Sequence, residues 1–300
     1  MASPDIEDFD PGVDMGLVET AGSEAVGRRR RFDFGFTLAA TWFGLVVAAA
    51  VLADVLPLLP PNALDATAGR QGPGAAHWLG ADILGRDILS RIVFGARTSL
   101  IVGVLATALS GLVGLTLGLL GGYFRGISES LTMGAMDILL SFPALVLAIA
   151  LAAVLGTGTG NVIIAIAILA LPAFARISRA ETLAHTSREF VTAARSLGAR
   201  HSRIILREVA PNILPTVIAY AFVIVAVAIV VEGSLSFLGL GVPPVVPTWG
   251  GMIAHGRSVL GPYPHISLFP AAAMFLTVLA LNTIGDKMRQ RDDLRGGVAA

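Results

Sequence analysis

The side chains that could do chemistry in this chain are few, and their spacing fits none of the common catalytic sites. The sequence contains no cysteine, which excludes disulfides, thiolate metal sites and cysteine nucleophiles. No two histidines have the i, i+4 spacing of a zinc-binding helix, and no G-x-S-x-G nucleophile elbow occurs. The five histidines are His77, His185, His201, His255 and His265. The sequence therefore predicts that the chain is not an enzyme and binds no metal itself.

Nucleotide-binding motifs are also missing from the sequence. The single lysine, Lys287, is followed by Met288, so no G-x-x-x-x-G-K-[ST] phosphate-binding loop can form. The glycine-rich stretches that begin at Gly156 and Gly239 both miss the G-x-G-x-x-G spacing of a dinucleotide site. We expect no cofactor in this chain, and any ATP and Mg²⁺ that its activity needs would be bound by partner subunits.

The composition is that of a membrane protein. Hydrophobic residues make up 55% of the 300-residue chain, charged residues only 14%, and the mean hydropathy is +0.78. The 21 basic and 21 acidic residues balance, which argues against a nucleic-acid partner because phosphates attract a basic surplus.

Six apolar stretches are long enough to be considered as membrane spans, so the predicted fold is an all-α membrane protein with six transmembrane helices. A helix needs about 20 apolar residues to cross the hydrocarbon core. The stretches are approximately Phe36 to Leu56, Thr98 to Gly122, Leu131 to Leu155, Asn161 to Ala175, Ile213 to Val231 and Leu268 to Ile284. Pro172 makes the fourth span short and its boundaries hard to place.

The distribution of basic residues predicts the orientation. With the N-terminus inside, 16 of the 21 basic residues lie on the inner side and 5 on the outer side, so both termini are expected in the cytoplasm. Four segments result. Residues 1–33 are predicted to be a disordered tail that is first acidic and then basic, and residues 34–97 contain the first span and an outer loop. Residues 98–286 form the transmembrane core with an inner loop at 177–212, and residues 287–300 form a cytoplasmic tail.

Two acidic residues lie in or beside the predicted spans. Asp137 is inside the third span, where a charge is costly, and it could line a polar pathway. An ion pair or a place at the membrane interface is favoured over that role, because Asp137 lies only six residues past Leu131. Glu232 ends the fifth span, where a solvated end residue is favoured over a pathway residue.

The inner loop has the features of a contact surface. Ser187 is positioned to cap a helix, and Gly198 is expected to end it because glycine readily takes the left-handed conformation. The apolar side of this helix would be Phe190, Val191, Ala194 and Leu197. A second short helix with Ile204, Ile205 and Val209 is then expected to end at Pro211. These features fit docking on a soluble partner and lying on the bilayer equally well.

This loop resembles the coupling loop, or EAA loop, of ABC importer permease subunits. Its pattern is E-A-A, three residues, Gly, and further on I-x-L-P. The matching residues are Thr192, Ala193, Ala194, Gly198, Ile213, Leu214 and Pro215. Thr192 replaces the usual Glu, which puts an ion pair with the ATPase in doubt. Glu189 lies one turn earlier and could partly substitute for it.

Four further segments are similar to the C-type permease subunit of dipeptide, oligopeptide and nickel importers. They are His77 to Leu100, Met136 to Ala150, Ser234 to Ala254 and Leu268 to Asp286. The resemblance implies a type I ABC importer permease fold in a bacterial plasma (inner) membrane. The implied partners are a homologous B-type permease, two ATP-binding subunits and an extracytoplasmic substrate-binding protein. It also implies a di- or oligopeptide cargo, with nickel as the runner-up.

Two other classes of protein compete with this interpretation. A secondary transporter would favour inverted repeats and ionisable groups near the bilayer midplane, but the ionisable residues here lie near span ends. A membrane-embedded enzyme would need one of the nucleophile or metal patterns that are missing from the sequence.

Overall fold

The structure, a computed structural model, describes residues 34–298 of the chain and side chains as far as residue 290. Within that range the secondary structure is helical, and no β-strand forms. The helices are α1 (Phe34–Val51), α2 (Ile88–Phe124), α3 (Gly126–Leu140), α4 (Ala144–Leu155), α5 (Thr159–Thr186), α6 (Glu189–Ser196), α7 (His201–Phe237), α8 (Trp249–Gly256) and α9 (His265–Val298). The tail predicted to be disordered lies outside the described residues.

Length and hydropathy identify five helices that could each cross a membrane, α1, α2, α5, α7 and α9. The third predicted span is broken. Its two halves, α3 and α4, are bent by 90° at the three residues before Ala144. Pro143 explains the break, because proline lacks an N–H group and excludes the helical conformation from the residue before it. The predicted six spans are thus confirmed when the bent pair is counted as one.

Three predicted boundaries were wrong. The first span ends at Val51, where Arg97 donates hydrogen bonds to the carbonyl oxygens of Ala50 (2.8 Å) and Val51 (3.3 Å). The fourth continues past Ala175, since Pro172 lies inside α5 without ending it. The α7 helix passes through Pro211 because Ile204–Val209 form a π-helical turn, whose wider backbone leaves room for the proline ring.

We name the two ends of the bundle by what they carry. The hairpin, residues 187–209, consists of α6 and the first turns of α7, and it marks the hairpin end. The opposite end carries α8 and the segment between α1 and α2, and we call it the α8 end. Helices α2, α5 and α7 run between these two ends and form the centre of the bundle.

Helices α2 and α5 approach closely along a row of glycines. Gly114, Gly118 and Gly122 lie four residues apart on α2 and face α5. A Cβ atom placed on Gly118 would lie 2.5 Å from the Cβ of Ser178 and 2.6 Å from the carbonyl oxygen of Ala175. Small residues at this spacing allow two membrane helices to gain van der Waals contact over their length.

Replacing Gly118 with alanine should therefore separate α2 from α5 and lower stability, by about 1–3 kcal/mol for overpacking of this kind. The midpoint of thermal unfolding of the purified subunit in detergent would show the loss. Gly134→Ala is the matched control, because it is also a helical position but has no atom within 4 Å of the new methyl group. Equal midpoints for the two variants would contradict the close approach.

Candidate coupling surface and pathway residues

The hairpin turns at Gly198, as the sequence predicts. Helix α6 begins after Arg188, whose backbone is extended, and Gly198 follows it with φ of +76°. The Gly198 N–H group donates to the carbonyl of Arg195 (2.9 Å), and Ala199 donates to that of Ala194 (3.0 Å). This pair of bonds is the Schellman arrangement that closes a helix with a left-handed residue.

Two local predictions for the hairpin were wrong. Ser187 does not cap α6, because its hydroxyl bonds to the carbonyl of Ala184 at the end of α5. The apolar side is also narrower than expected. Val191 is fully buried and Ala194 partly so, whereas Phe190 is 37% exposed and Leu197 88% exposed. Leu197 is the last residue before the turn at Gly198, and it lies outside the packed side.

The hairpin packs against the end of α2. Val191 of α6 and Ile204 of α7 are fully buried beside Leu119 and Tyr123. The Tyr123 hydroxyl forms a 2.8 Å hydrogen bond with Nδ1 of His201, and the Arg195 guanidinium lies 5.4 Å from the centre of the Tyr123 ring. These contacts were not predicted, since no sequence signal links residues so far apart. They attach the hairpin to a helix that extends to the α8 end.

The residues that match the coupling-loop pattern divide between the free and the packed surface. Most of them lie on exposed surface, away from the contact with α2. The exposed residues are Glu189, Thr192, Ala193, Gly198 and Pro215, and Ala194 is partly buried. A Cβ atom on Gly198 would meet no atom of the described chain within 4 Å. The hairpin thus presents an exposed surface with a fixed backbone.

Asp137 forms an ion pair, the role favoured from its sequence position. Its Oδ1 accepts a 2.6 Å hydrogen bond from Nη2 of Arg176 on α5. A second ion pair between the same helices joins Glu129 of α3 to Arg179, whose Nε donates at 2.7 Å. Both pairs lie in the parts of α3 and α5 nearest the hairpin end.

Glu232 is not the solvated end residue that its sequence position favours, so that prediction was wrong, and a role in lining the pathway stays a prediction. Its side chain is fully buried and accepts a 2.7 Å hydrogen bond from the Ser236 hydroxyl. The chain after α7 folds back and covers it with the N-terminus of α8. Trp249 is 1% exposed, and its backbone N–H group donates to the Ser99 hydroxyl at 3.2 Å.

The segment before α2 is held by buried charges. Asp82 accepts 2.6 Å and 3.0 Å hydrogen bonds from the side chain and the backbone of Arg86, and Arg91 lies 3.9 Å away. Nearby, His77 and Asp87 are buried and 2.9 Å apart. Desolvation and the charge of Arg86 lower the pKa of His255, which borders this cluster. In the described residues no group of three or more acidic or histidine side chains is placed to hold a metal ion.

The fold and these surfaces define a helical membrane subunit of a transporter. Residues 114–291 match the family of binding-protein-dependent transport system inner membrane components. The chain is also 41% identical, over 83% of each sequence, to the glutathione transport system permease protein GsiD of Pectobacterium atrosepticum. The same identity holds for an Escherichia coli GsiD over 94% of this chain and 93% of that protein. The chain therefore belongs to this family and is a permease subunit of an ABC importer.

A solved structure shows the same fold. The chain is similar to a chain of the MetNI methionine ABC transporter in an inward-facing conformation, with a TM-score of 0.58 and 16% identity. The match covers 68% of this chain and 97% of that one. This similarity confirms the predicted type I ABC importer permease fold. Membership of the family also confirms the predicted location in the inner membrane, and it implies ATPase and binding-protein partners.

Replacing Asp82 should loosen the segment before α2. Asp82→Asn leaves two buried arginines without their countercharge, and breaking a buried pair in this way costs about 3–5 kcal/mol. Amide hydrogen exchange of residues 77–91 in the purified protein should rise accordingly. Asp65→Asn is the control, since the Asp65 side chain is exposed and bonds only within its own turn. Unchanged exchange in the Asp82 variant would show that this cluster does not hold the segment.

Proposed function

We propose that this chain forms half of the translocation pathway for short peptides. It would pair with a homologous B-type permease subunit, stand above two ATP-binding subunits, and receive cargo from an extracytoplasmic binding protein. ATP and Mg²⁺ would be bound by the ATPases. Both termini and the hairpin would face the cytoplasm, as the excess of basic residues on that side supports.

The hairpin supports the coupling part of the proposal. A surface that receives force from a partner needs a defined shape and a firm attachment to the helices that must move. The hairpin has both, because the Gly198 turn fixes its backbone and Val191 and Ile204 bury its other side against α2. Glu189, Thr192 and Ala193 remain exposed for contact with an ATPase.

The two similar permeases support the proposal of a peptide cargo. Both relatives described above are named for glutathione transport, and glutathione is a modified tripeptide. A cargo of this class agrees with the resemblance to dipeptide and oligopeptide permeases. Nickel is the second candidate, because the same group of permeases includes nickel importers.

Uptake measurements separate the two cargoes. Deleting this subunit should abolish uptake of labelled di- to oligopeptides, glutathione included, or confer resistance to toxic peptides, and should leave nickel accumulation unchanged. Restoring the gene on a plasmid is the control. Loss of nickel uptake with peptide uptake intact would refute the peptide assignment.

The Gly198 turn allows a test of coupling. A side chain with a Cβ atom costs about 1 kcal/mol or more in the left-handed conformation, so Gly198→Val should distort the end of α6. The assembled importer in proteoliposomes should then hydrolyse ATP with less transport per ATP, or lose its ATPase subunits during purification.

Gly198→Asn is the matched control, because asparagine adopts the left-handed conformation more readily than valine. It adds a side chain at the same position, which is open in this chain. We expect it to retain more coupling than the valine variant. Full transport by Gly198→Val would refute a coupling role for this turn.

A further inference from the structure

An open cavity with charged side chains in its wall lies between α3 and α5, on the side of the bundle that carries the two ion pairs. Its volume is about 570 Å³, and it is lined by Glu129, Ser130, Met133, Asp137, Arg176 and Arg179. Two carboxylates and two guanidinium groups give its wall both signs of charge and no net charge. Such a wall can contact a ligand that also carries both signs.

The two ion pairs differ in how many hydrogen-bonding groups they leave available to a ligand. Glu129 and Arg179 are the more buried pair, with side chains 23% and 33% exposed, and Arg179 uses both Nε and Nη2 on one carboxylate oxygen. Asp137 and Arg176 are 63% and 54% exposed and share one hydrogen bond. A carboxylate has two oxygens and a guanidinium has five N–H groups, so this pair can bind further partners without separating.

The exposure of Asp137 and Arg176 restricts the kind of surroundings that this cavity wall can have in the membrane. Ionised side chains within membrane helices face water or protein, because contact with lipid tails is costly. Only Met136 is buried along α3, so this helix is covered little by the rest of the described chain. A water-filled path through the importer satisfies both observations, and a volume of about 570 Å³ can admit the end of a small peptide.

We propose that Asp137 and Arg176 form a transit site for the charged ends of a zwitterionic peptide. Asp137 would accept hydrogen bonds from the peptide's α-ammonium group, and Arg176 would donate to its α-carboxylate. Charge-assisted bonds of this kind are shorter and stronger than neutral ones. The site rests on the proposed function, since it assumes that peptides are the cargo.

A cysteine reporter tests the site in the complete importer, purified without nucleotide. The chain has no native cysteine, so Met133→Cys places one thiol of this subunit at the cavity. A water-soluble maleimide should label it. A dialanine peptide at millimolar concentration should slow that labelling, whereas the same peptide with acetylated and amidated ends should not. Gln290→Cys, exposed on α9, is the control and should be labelled at one rate throughout.

Variants with uncharged side chains then test whether the protection from labelling depends on the ion pair of Asp137 and Arg176. Asp137→Asn with Arg176→Gln removes both charges and leaves two amide side chains that keep hydrogen-bond donors and acceptors, although Gln is shorter than Arg. In the Met133→Cys protein it should remove most of the protection, since the loss of even one of the two charge-assisted bonds weakens binding about tenfold. Arg176→Lys keeps the charge and should retain part of it. A pair that only joins α3 to α5 would leave protection unchanged.

Each other outcome overturns the site. Absence of labelling would mean that the cavity is covered by lipid or by the second permease. Equal protection by the free and the blocked peptide, or protection that survives in the neutral double variant, would exclude recognition of charged ends. The comparison of the free with the blocked peptide does not depend on whether the Asp137 and Arg176 variants fold. ATP-dependent uptake of dialanine by the native complex is measured first, and its absence would refute the peptide function itself.

Discussion

The close approach of α2 and α5 fixes the positions of the functional surfaces of this chain. In a bilayer no hydrophobic force pulls two helices together, so their association relies on van der Waals contact over a matched surface. The row from Gly114 to Gly122 provides that contact. It places Tyr123 and Leu119 where the hairpin packs, and it fixes the part of α5 that carries Arg176 and Arg179. The hairpin and the charged cavity therefore depend on the same helix pair.

Charge is used differently at the two ends of the bundle. At the α8 end Asp82, Arg86 and Arg91 are buried and hold a segment that forms neither a helix nor a strand. Buried charges are stable there because Asp82 accepts hydrogen bonds from Arg86, and the Arg91 guanidinium donates to the oxygen atoms of Pro61 and Asn62. Near the hairpin end Asp137 and Arg176 are paired but open. The first arrangement resists change, and the second can exchange partners.

Much of the fold could be predicted from hydropathy, because a backbone in lipid must satisfy its hydrogen bonds within a helix. The six spans and the turn at Gly198 depend on such local rules. The end of the first span and the burial of Glu232 could not be predicted in this way, because both depend on contacts distant in sequence. Arg97 bonds to the end of α1, and the chain after α7 folds back over Glu232. Tyr123 and His201 meet only because α2 and α7 both end there, which no spacing in the sequence indicates.

The unbroken course of α7 has a mechanical consequence. With 37 residues and a rise of about 1.5 Å each, it is a rod longer than the bilayer is thick. One end belongs to the hairpin and the other carries Glu232 beneath α8. A rod of fixed length that pivots between its ends moves them in opposite directions. Displacement of the hairpin towards the bundle axis would thus swing the far end away from it, so one rigid tilt closes one side of the membrane while opening the other.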